Sequence, residues 1–365
     1  MVQIKGIGFT KVGEFWEKTF EDLLVEAISK ATEDANLSFD AITVAYIPRP
    51  ISPHITSTDV ARVVRGILPK CRKIITIDCG TNGLIAVETA AREAGNKENV
   101  LVVGVEKLSD FKSYEQESIR MNLLGIHYRL LGIPASAVHA LLLRMYMKKW
   151  NAPHENIAKL AEITHTHAAG AKHAKYRFKL PVKKILASPI LADPLRMFEF
   201  SSLSDGAAAV ILSQGKTGVI INDVKIANDS LFVLNCSDDL QAKNIAEIAR
   251  DIGTTDVDFV ELHDESTILG VLQLEWIGIS KLGEAHKLVG NGDVELGGKI
   301  PVCTFGGLKG RGDVASINAL YQIAEATLQI RGEADNNQVD NAKSGLVVSL
   351  HGINLSAGLC KIVKV

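Results

Sequence analysis

Several stretches of this 365-residue chain are apolar at every position rather than at every second one, residues 100–103 (Val-Leu-Val-Val) among them. Such a strand suits a sheet covered on both faces, because period-two alternation would leave one side for water. Segments with helical spacing separate these runs, which restricts the chain to α/β architectures. Residues 5–12, 41–47, 73–78 and 99–105 read as strands. Residues 17–35 read as a helix with Phe20, Leu23, Leu24, Ala27, Ile28 and Ala31 on one face. A second helix, 58–67, is expected to be capped by Ser57 or Thr58, and 82–93 is a third.

From about residue 110 to 194 this rhythm stops. The segment is mostly helical, richer in Lys, His and aromatics, and shows no strand pattern until 206–212, so it reads as an insertion. After Lys216 the alternation restarts. Strands are expected at 219–226, 231–234, 259–262, 346–350 and 359–363, with 300–304 short or merely extended. Helices are expected at 240–252, 267–279 and 314–328. Both halves then share the order strand, helix, strand, helix, strand. The chain divides into 1–215, carrying the insertion at about 110–195, and 216–365. Matching glycine-bearing turns suggest that helices 81–88 and 267–279 are counterparts, side by side at the centre. A generic doubly wound enzyme with a lid has the same periodicity; in either, sites gather at the carboxyl ends of strands beside helix N-termini.

With 40 basic and 42 acidic residues the formal charge is -2, and no field of one sign exists to attract nucleic acid or an anionic membrane. Residues 1–9 alternate like a strand, unlike a signal peptide. No apolar run approaches the roughly 20 residues of a membrane helix. Cys71, Cys79, Cys236, Cys303 and Cys360 are scattered and odd in number, with no Cys-x-x-Cys pair. Neither a disulfide framework nor a zinc site is indicated, and a cytoplasmic protein is the expectation.

Five segments, in order, carry a resemblance. Residues 78–88 read Asp-Cys-Gly-Thr-Asn-Gly-Leu-Ile-Ala-Val-Glu, and 100–109 end in Gly-Val-Glu-Lys-Leu-Ser. Residues 188–195 read Ser-Pro-Ile-Leu-Ala-Asp-Pro-Leu, followed at 204–209 by Ser-Asp-Gly-Ala-Ala-Ala. Residues 261–278 contain His263, Asp264, Glu275 and Gly278, and 306–313 read Gly-Gly-Leu-Lys-Gly-Arg-Gly-Asp. Together they resemble the thiolase family, closest to its archaeal and sterol-carrier type. The resemblance spans essentially the whole chain. It implies two similar βαβαβ-type halves packed as layered sheets and helices, with the insertion as the coenzyme A-binding loop domain. A homodimer or tetramer is implied as well.

The family's reaction joins or splits acyl groups held as CoA thioesters. It needs a thiolate at a helix N-terminus, a base beside a thioester carbonyl and donors for the developing oxyanions. Aligned on Gly83, the nucleophile's position falls on Gly80, with Cys79 one residue earlier. Either the turn holds one extra residue and Cys79 is the nucleophile, or Cys79 ends a strand and packs as a small apolar side chain. A one-residue offset on a strand normally reverses the direction of the thiol. Asp313 stands where the family's activating histidine belongs, and Val314 where its proline does. A carboxylate there opposes thiolate formation, and Asp313 is expected instead to cap a helix beginning at Val314.

Near the C-terminus His351 matches the histidine of the archaeal pattern, while Gly352 replaces the following asparagine. His351 is a candidate base, or a histidine merely hydrogen-bonded within the fold. His263 is retained, with Glu265 and Ser266 replacing Ala-Phe, so the wall beside it is expected to be polar. It either polarises a water or thioester oxygen or is a helix-entry residue, with Asp264 as the cap. In the insertion, His127, Gly132 and Ser136 match the CoA-facing segment, as does Gly307 in the later glycine loop. Lys172, Lys175 and Arg177 offer charge for CoA phosphates or form a solvated basic stretch.

The resemblance therefore implies a CoA thioester as ligand or substrate, and no bound cofactor. Archaeal relatives assemble with a condensing synthase and a zinc-ribbon/OB-fold protein, so a scaffold role is open. The expected function is a thiolase-like protein that binds CoA thioesters and lacks condensation chemistry. The alternatives are acyl transfer through Cys79, or acyl-CoA hydrolysis by His263 and His351.

Overall fold

The computed structural model describes residues 1–78, 82–96, 98–228, 240–353 and 356–365, and over these the alternation read from the apolar pattern is present. The first half comprises β1 (Val2–Phe9), α1 (Phe20–Asp34), β2 (Val44–Pro48), α2 (Ser57–Ile67), β3 (Lys73–Ile77), α3 (Asn82–Ala94) and β4 (Val100–Glu106). The insertion follows as α4 (Ser113–Leu124), α5 (Ile126–Leu130), α6 (Ala135–Trp150), α7 (His154–Gly170) and α8 (Val182–Leu186). It also holds a hairpin, β5 (Ile190–Ala192) and β6 (Leu195–Arg196), too short to carry a period-two signal where no strand was expected. Next come β7 (Gly206–Gln214), β8 (Val219–Asn228), α9 (Lys243–Ile252), β9 (Phe259–Glu261), α10 (Thr267–Trp276), α11 (Ala285–Asn291), α12 (Gly307–Gly310), α13 (Asn318–Arg331), β10 (Ser344–His351) and β11 (Ser356–Lys364). The strand expected at 231–234 lies outside the described residues.

Local chemistry sets the helix ends. α2 is capped by Thr56 rather than Ser57 or Thr58, because only Thr56 has a carboxylate three residues on; Thr56 accepts from the Asp59 amide and Asp59 returns the bond. The last long helix begins at Asn318, after a 3-10 turn at Ala315–Ile317 rather than at Val314.

The described strands form one nine-stranded sheet in the order β3-β2-β4-β7-β1-β8-β11-β10-β9. Its two ends mirror each other. β1 and β8 meet in the middle through Val2–Ile221 and Gln3–Ile220, and β7 and β11 flank them. Val302, in the segment expected to be extended, bridges Val260 in β9 as β3 pairs with β2. The expected doubling is thus a palindrome of strands about the β1–β8 junction.

Strand order decides which helices correspond. α3 joins β3 to β4, and α13 precedes β10, the counterpart of β4; α10 follows β9, as α2 follows β2. The expected pairing of α3 with α10 is therefore corrected to α3 with α13. Leu84, Val87 and Ala90 of α3 share one apolar cluster with Leu320, Ile323 and Ala324 of α13. Gly83 permits this approach: a Cβ there would lie 2.9 Å from the Ser316 carbonyl oxygen. α1 and α2 cover the outer face of the first half, and α9 and α10 that of the second. Val100 and Val102 face the central helices while Leu101 and Val103 face α1, which accounts for the unbroken apolar run. None of the described helices is long and apolar enough to cross a membrane.

Candidate active site

β4 and β7 run antiparallel with Glu106 opposite Gly206, so the end of one family-like segment meets the start of another. The Asp205 carboxylate is fully buried and accepts from the amides of Phe15 (2.9 Å), Leu108 (2.7 Å) and Ser109 (2.8 Å). It also accepts from Ser109 Oγ (2.6 Å) and Lys107 Nζ (3.0 Å). Burial would raise its pKa, but these bonds outweigh burial and hold it below the usual carboxylate range.

Glu106 is buried too, accepting from the Ile51 and Ser52 amides and the Ser52 and Ser316 hydroxyls. Here burial wins against the bonds and pushes the carboxyl up to about 7. A folded-state pKa above the unfolded value means stability that is full below about pH 4.5 and lost as pH rises through 7. Glu106 should contribute a fall of about 3 kcal/mol across that window. Urea midpoints at pH 5 and pH 8 check this: the slope should flatten in Glu106→Gln, and an unchanged slope would refute it.

These braces support a small cavity of about 40 Å³ at the carboxyl ends of β9 and β10, lined by His263, Glu265, Asp313, Arg120, His351 and Gly352, among others. β9 and β10 are parallel neighbours, which brings His263 and His351 to one end of the sheet. The loop after β9 is locked onto α10: the His263 amide donates to Gln273 Oε1 (2.9 Å), and Gln273 Nε2 donates to the His263 carbonyl (2.7 Å). Ser266, not Asp264, caps α10 by accepting from the Leu269 amide. Asp264 instead accepts from the Leu308 amide (2.7 Å) and Lys309 Nζ (2.5 Å). Gly307 has φ +57°, and a Cβ there would stand 2.3 Å from Asp264 Oδ1, so the turn itself requires glycine.

Arg120 of α4 enters from the insertion and is 5% exposed. Its Nη1 donates to Glu265 Oε1 (2.5 Å) and Asp313 Oδ2 (3.3 Å), and its Nη2 to the Ser201 carbonyl (2.9 Å). The guanidinium lies 4.9 Å from the Phe200 ring centroid. Asp313 also accepts from Ser201 Oγ (2.8 Å), Asn318 Nδ2 (2.7 Å) and the Ala315 amide (3.0 Å). It therefore holds the 3-10 turn, not the start of a helix at Val314, and most of its bonds go elsewhere. Burial works to raise the Glu265 carboxyl, but His139 Nε2, 3.5 Å away, and the Arg120 guanidinium outweigh burial and hold it well below the usual range. Glu265 is thus a fixed anion, in the polar wall expected beside His263.

Burial pushes His263 down despite the opposing pull of Glu265, Asp313 and Asp264, and its Nδ1 has no hydrogen-bond partner among the described residues. His351 is lowered by burial and then by His263. Both are neutral imidazoles at neutral pH. Cys79 and Gly80 lie outside the described residues. His127 and Gly132 sit at an exposed tip with Leu130 and Leu131, whereas Ser136 is buried in the first turn of α6; none of the three lines this cavity. Lys172 pairs with Asp335 and Lys175 with Glu14. Cys71, Cys303 and Cys360 are buried free thiols.

Sequence reasoning missed Arg120, Ser201 and His139. The one available signal was the two acidic replacements, Glu265 and Asp313, in segments matched to the family's catalytic motifs, since carboxylates that become buried call for a cation nearby. A second cavity, of about 400 Å³, adjoins the first and shares Arg120 and Leu203 with it as a wall. Around it stand Phe198, Phe200, His165 and Tyr176.

Residues 2–216 match the family model described as thiolase, N-terminal domain, and residues 239–362 that described as thiolase C-terminal domain-like. Acetyl-CoA acetyltransferase of Methanothermobacter thermautotrophicus is 28% identical, over 98% of this chain and 98% of that protein. Sterol carrier protein 2 of Homo sapiens is 28% identical, over 94% of this chain and 69% of that protein. Among solved structures, the Ltp2-ChsH2(DUF35) aldolase is similar in fold, with a TM-score of 0.83 and 20% identity over 98% of this chain and 97% of that one.

Proposed function

The chain belongs to the thiolase family, and from that premise we propose that it binds a CoA thioester without condensing or cleaving it, as one component of a two-protein assembly. The observation that carries this reading is the Arg120–Glu265–Asp313 network. Asp313 occupies the position of the family's activating histidine. Its carboxylate is committed to Arg120, Ser201, Asn318 and the Ala315 amide, two donors to each oxygen, which leaves it no free lone pair directed at a thiol. The space beside it, about 40 Å³, has room for about one water. Gly80 and Gly352, at two further catalytic positions of the family, carry no side chain that can attack or abstract. Groups that act as a unit lose most of their rate when one is removed.

The CoA arm is assigned to the inserted segment, with His127, Gly132 and Ser136 as its contacts, and Gly307 shaping the loop opposite. The name of the Ltp2-ChsH2(DUF35) aldolase, one chain of which is similar in fold, joins two proteins, which supports a partner for this chain as well; a zinc-ribbon/OB-fold protein is the proposed one. Self-association is assigned to β3, which pairs only with β2 among the described strands and keeps Ile74, Ile75 and Ile77 half-buried at the sheet edge. Sedimentation at micromolar concentration should give a dimer or tetramer; a monomeric mass counts against that assignment.

A second reading has an observation of its own. Two neutral imidazoles around a water-sized space favour acyl-CoA hydrolysis, with His263 or His351 as base. One preparation separates these possibilities. Wild type and Cys79→Ala are titrated with acetyl-CoA in a calorimeter, assayed for thiolysis of acetoacetyl-CoA and for release of free CoA from acetyl-CoA, and weighed intact after incubation. Saturable binding with no turnover and no acetyl adduct is expected. An adduct or thiolysis that Cys79→Ala abolishes would replace the proposal by acyl transfer, CoA release lost in His351→Ala by hydrolysis, and absence of binding by a scaffold alone.

A further inference from the structure

Residues 163–192 carry six Lys and Arg and no Asp or Glu, in a chain whose 40 basic and 42 acidic residues otherwise balance. Two of the six are neutralised from elsewhere in the fold, Lys172 by Asp335 at 2.8 Å and Lys175 by Glu14 at 3.0 Å. Arg177, Lys179, Lys183 and Lys184 are exposed, and none of them has an ion-pair partner among the described residues. Like charges gathered in this way repel one another and draw in groups of the opposite sign.

These cations stand among exposed apolar side chains. Phe178, between Arg177 and Lys179 in the chain, stacks on His165 at 5.2 Å and 28°. His165 lines the 400 Å³ cavity together with Leu191 and Met197 of the hairpin region. Phe178, Leu191 and Met197 are each 44–46% exposed, so the cavity opens to the surface beside them. α8, which carries Lys183 and Lys184, is pinned to the same wall: Leu180 and Ile185 cluster with Ala158 and Ala161 of α7, and Phe198 of the cavity lining packs against that cluster. An apolar patch rimmed by charge marks a surface that another macromolecule covers, and Phe, Met and Arg are residue types that interfaces favour. The occupant has to answer both features at once. A nucleic acid meets the cations through its phosphates, which offer nothing apolar to Leu191 and Met197. A protein segment in which carboxylates alternate with apolar side chains answers the charge and the patch together.

We infer that this face docks an acidic segment of a partner protein, whose carboxylates meet Arg177, Lys179, Lys183 and Lys184 while an apolar side chain seats beside Phe178, Leu191 and Met197. The inference goes beyond the CoA reading and needs neither it nor the zinc-ribbon/OB-fold assignment, only a partner that carries such a segment. Fluorescence anisotropy with labelled probes tests it: a peptide of glutamates interspersed with Phe and Leu, the same peptide with Ala for Phe and Leu, its counterpart with Lys for Glu, and a single-stranded DNA oligonucleotide. The first should bind saturably, at least about tenfold more tightly than any of the others, and more weakly as salt rises. Combining Lys179→Glu, Lys183→Glu and Lys184→Glu should weaken it at least about tenfold and flatten its salt dependence. Phe178→Ala should weaken it while leaving the salt dependence in place. Acetyl-CoA affinity should be the same in wild type and the triple variant. All four side chains are exposed; a thermal melt confirms that each variant is folded, and the wild-type series decides the matter if one is not. No binding of the acidic apolar peptide, or binding indifferent to charge reversal, overturns the docking face and leaves the CoA reading intact. Tighter binding of the oligonucleotide would assign the cations to nucleic acid, and a sedimentation mass that falls in the triple variant would assign them to a second copy of this chain. A parallel loss of acetyl-CoA binding would assign them to CoA phosphates. Each of these three overturns the inference. Peptide binding as expected, with no binding of acetyl-CoA to wild type, overturns the CoA reading alone.

Discussion

Replacing Arg120 by methionine should destabilise the fold by about 3–5 kcal/mol. The guanidinium sits between Glu265 and Asp313, both nearly or fully buried, and both lose their counter-charge when it is removed. Two buried carboxylates sharing a site repel each other and must either take up a proton or draw in water. The wall between the two cavities also thins, since Arg120 and Leu203 are the side chains common to both linings. Arg120→Lys should recover only part of the loss, because an ammonium cannot reach Glu265, Asp313 and Ser201 together as the planar fork does. The triple variant Arg120→Met, Glu265→Gln, Asp313→Asn should return to within about 1–2 kcal/mol of wild type, since removing every charge of a buried network is often neutral. Guanidinium unfolding curves of the five proteins, counting wild type and Asp313→Asn alone, read this directly. A methionine variant as stable as wild type would mean that the network is not closed in solution.

Asp205→Asn should cost a comparable amount, about 3–5 kcal/mol, for a different reason. Every group around this carboxylate is a donor: three amides, one hydroxyl and one ammonium. An asparagine amide must turn its own N–H groups towards some of them, and among the described residues Lys107 keeps only the half-exposed Asp110 as counter-ion. The pH dependence has a definite sign. The folded-state pKa is depressed, so the stabilisation is present above the unfolded carboxylate range and is lost as pH falls through the folded value. Wild type should therefore approach the variant on acidification, opposite to the Glu106 effect at higher pH. Denaturant midpoints from pH 7 down to pH 3 provide the check; a constant gap between the two proteins would show that the charge of Asp205 is not what matters.

Both results bear on how the motifs are to be understood. Ser-Asp-Gly-Ala at 204–207 and Glu-Lys-Leu-Ser at 106–109 are the most family-like stretches of the chain, and they touch each other rather than the cavity contents. Their work is to brace the ends of β4 and β7 below the site. Two positions that depart from the family pattern, Glu265 and Asp313, line the cavity beside the family-like His263 and His351, and they are reconciled with each other through a residue of the insertion.

What the sequence by itself determined is what local patterns encode. Apolar runs covered on both faces, helical spacing and the repeated order of elements specify an α/β chain built twice, because burial on two faces leaves no polar alternation to misread. That His263, His351 and Asp313 belong to one site was legible through the resemblance, which matches each of them to a catalytic motif of the family, and the structure brings all three to one cavity. Tertiary structure alone decided the rest. The partner of α3 is α13 and not α10, because correspondence follows the order of strands in the sheet, which long-range pairing sets. Arg120 is separated from Glu265 by 145 positions and from Asp313 by 193, so no spacing in the chain links them. Only the docking of the insertion against the second half brings that one cation to two buried carboxylates, where desolvation makes its presence obligatory.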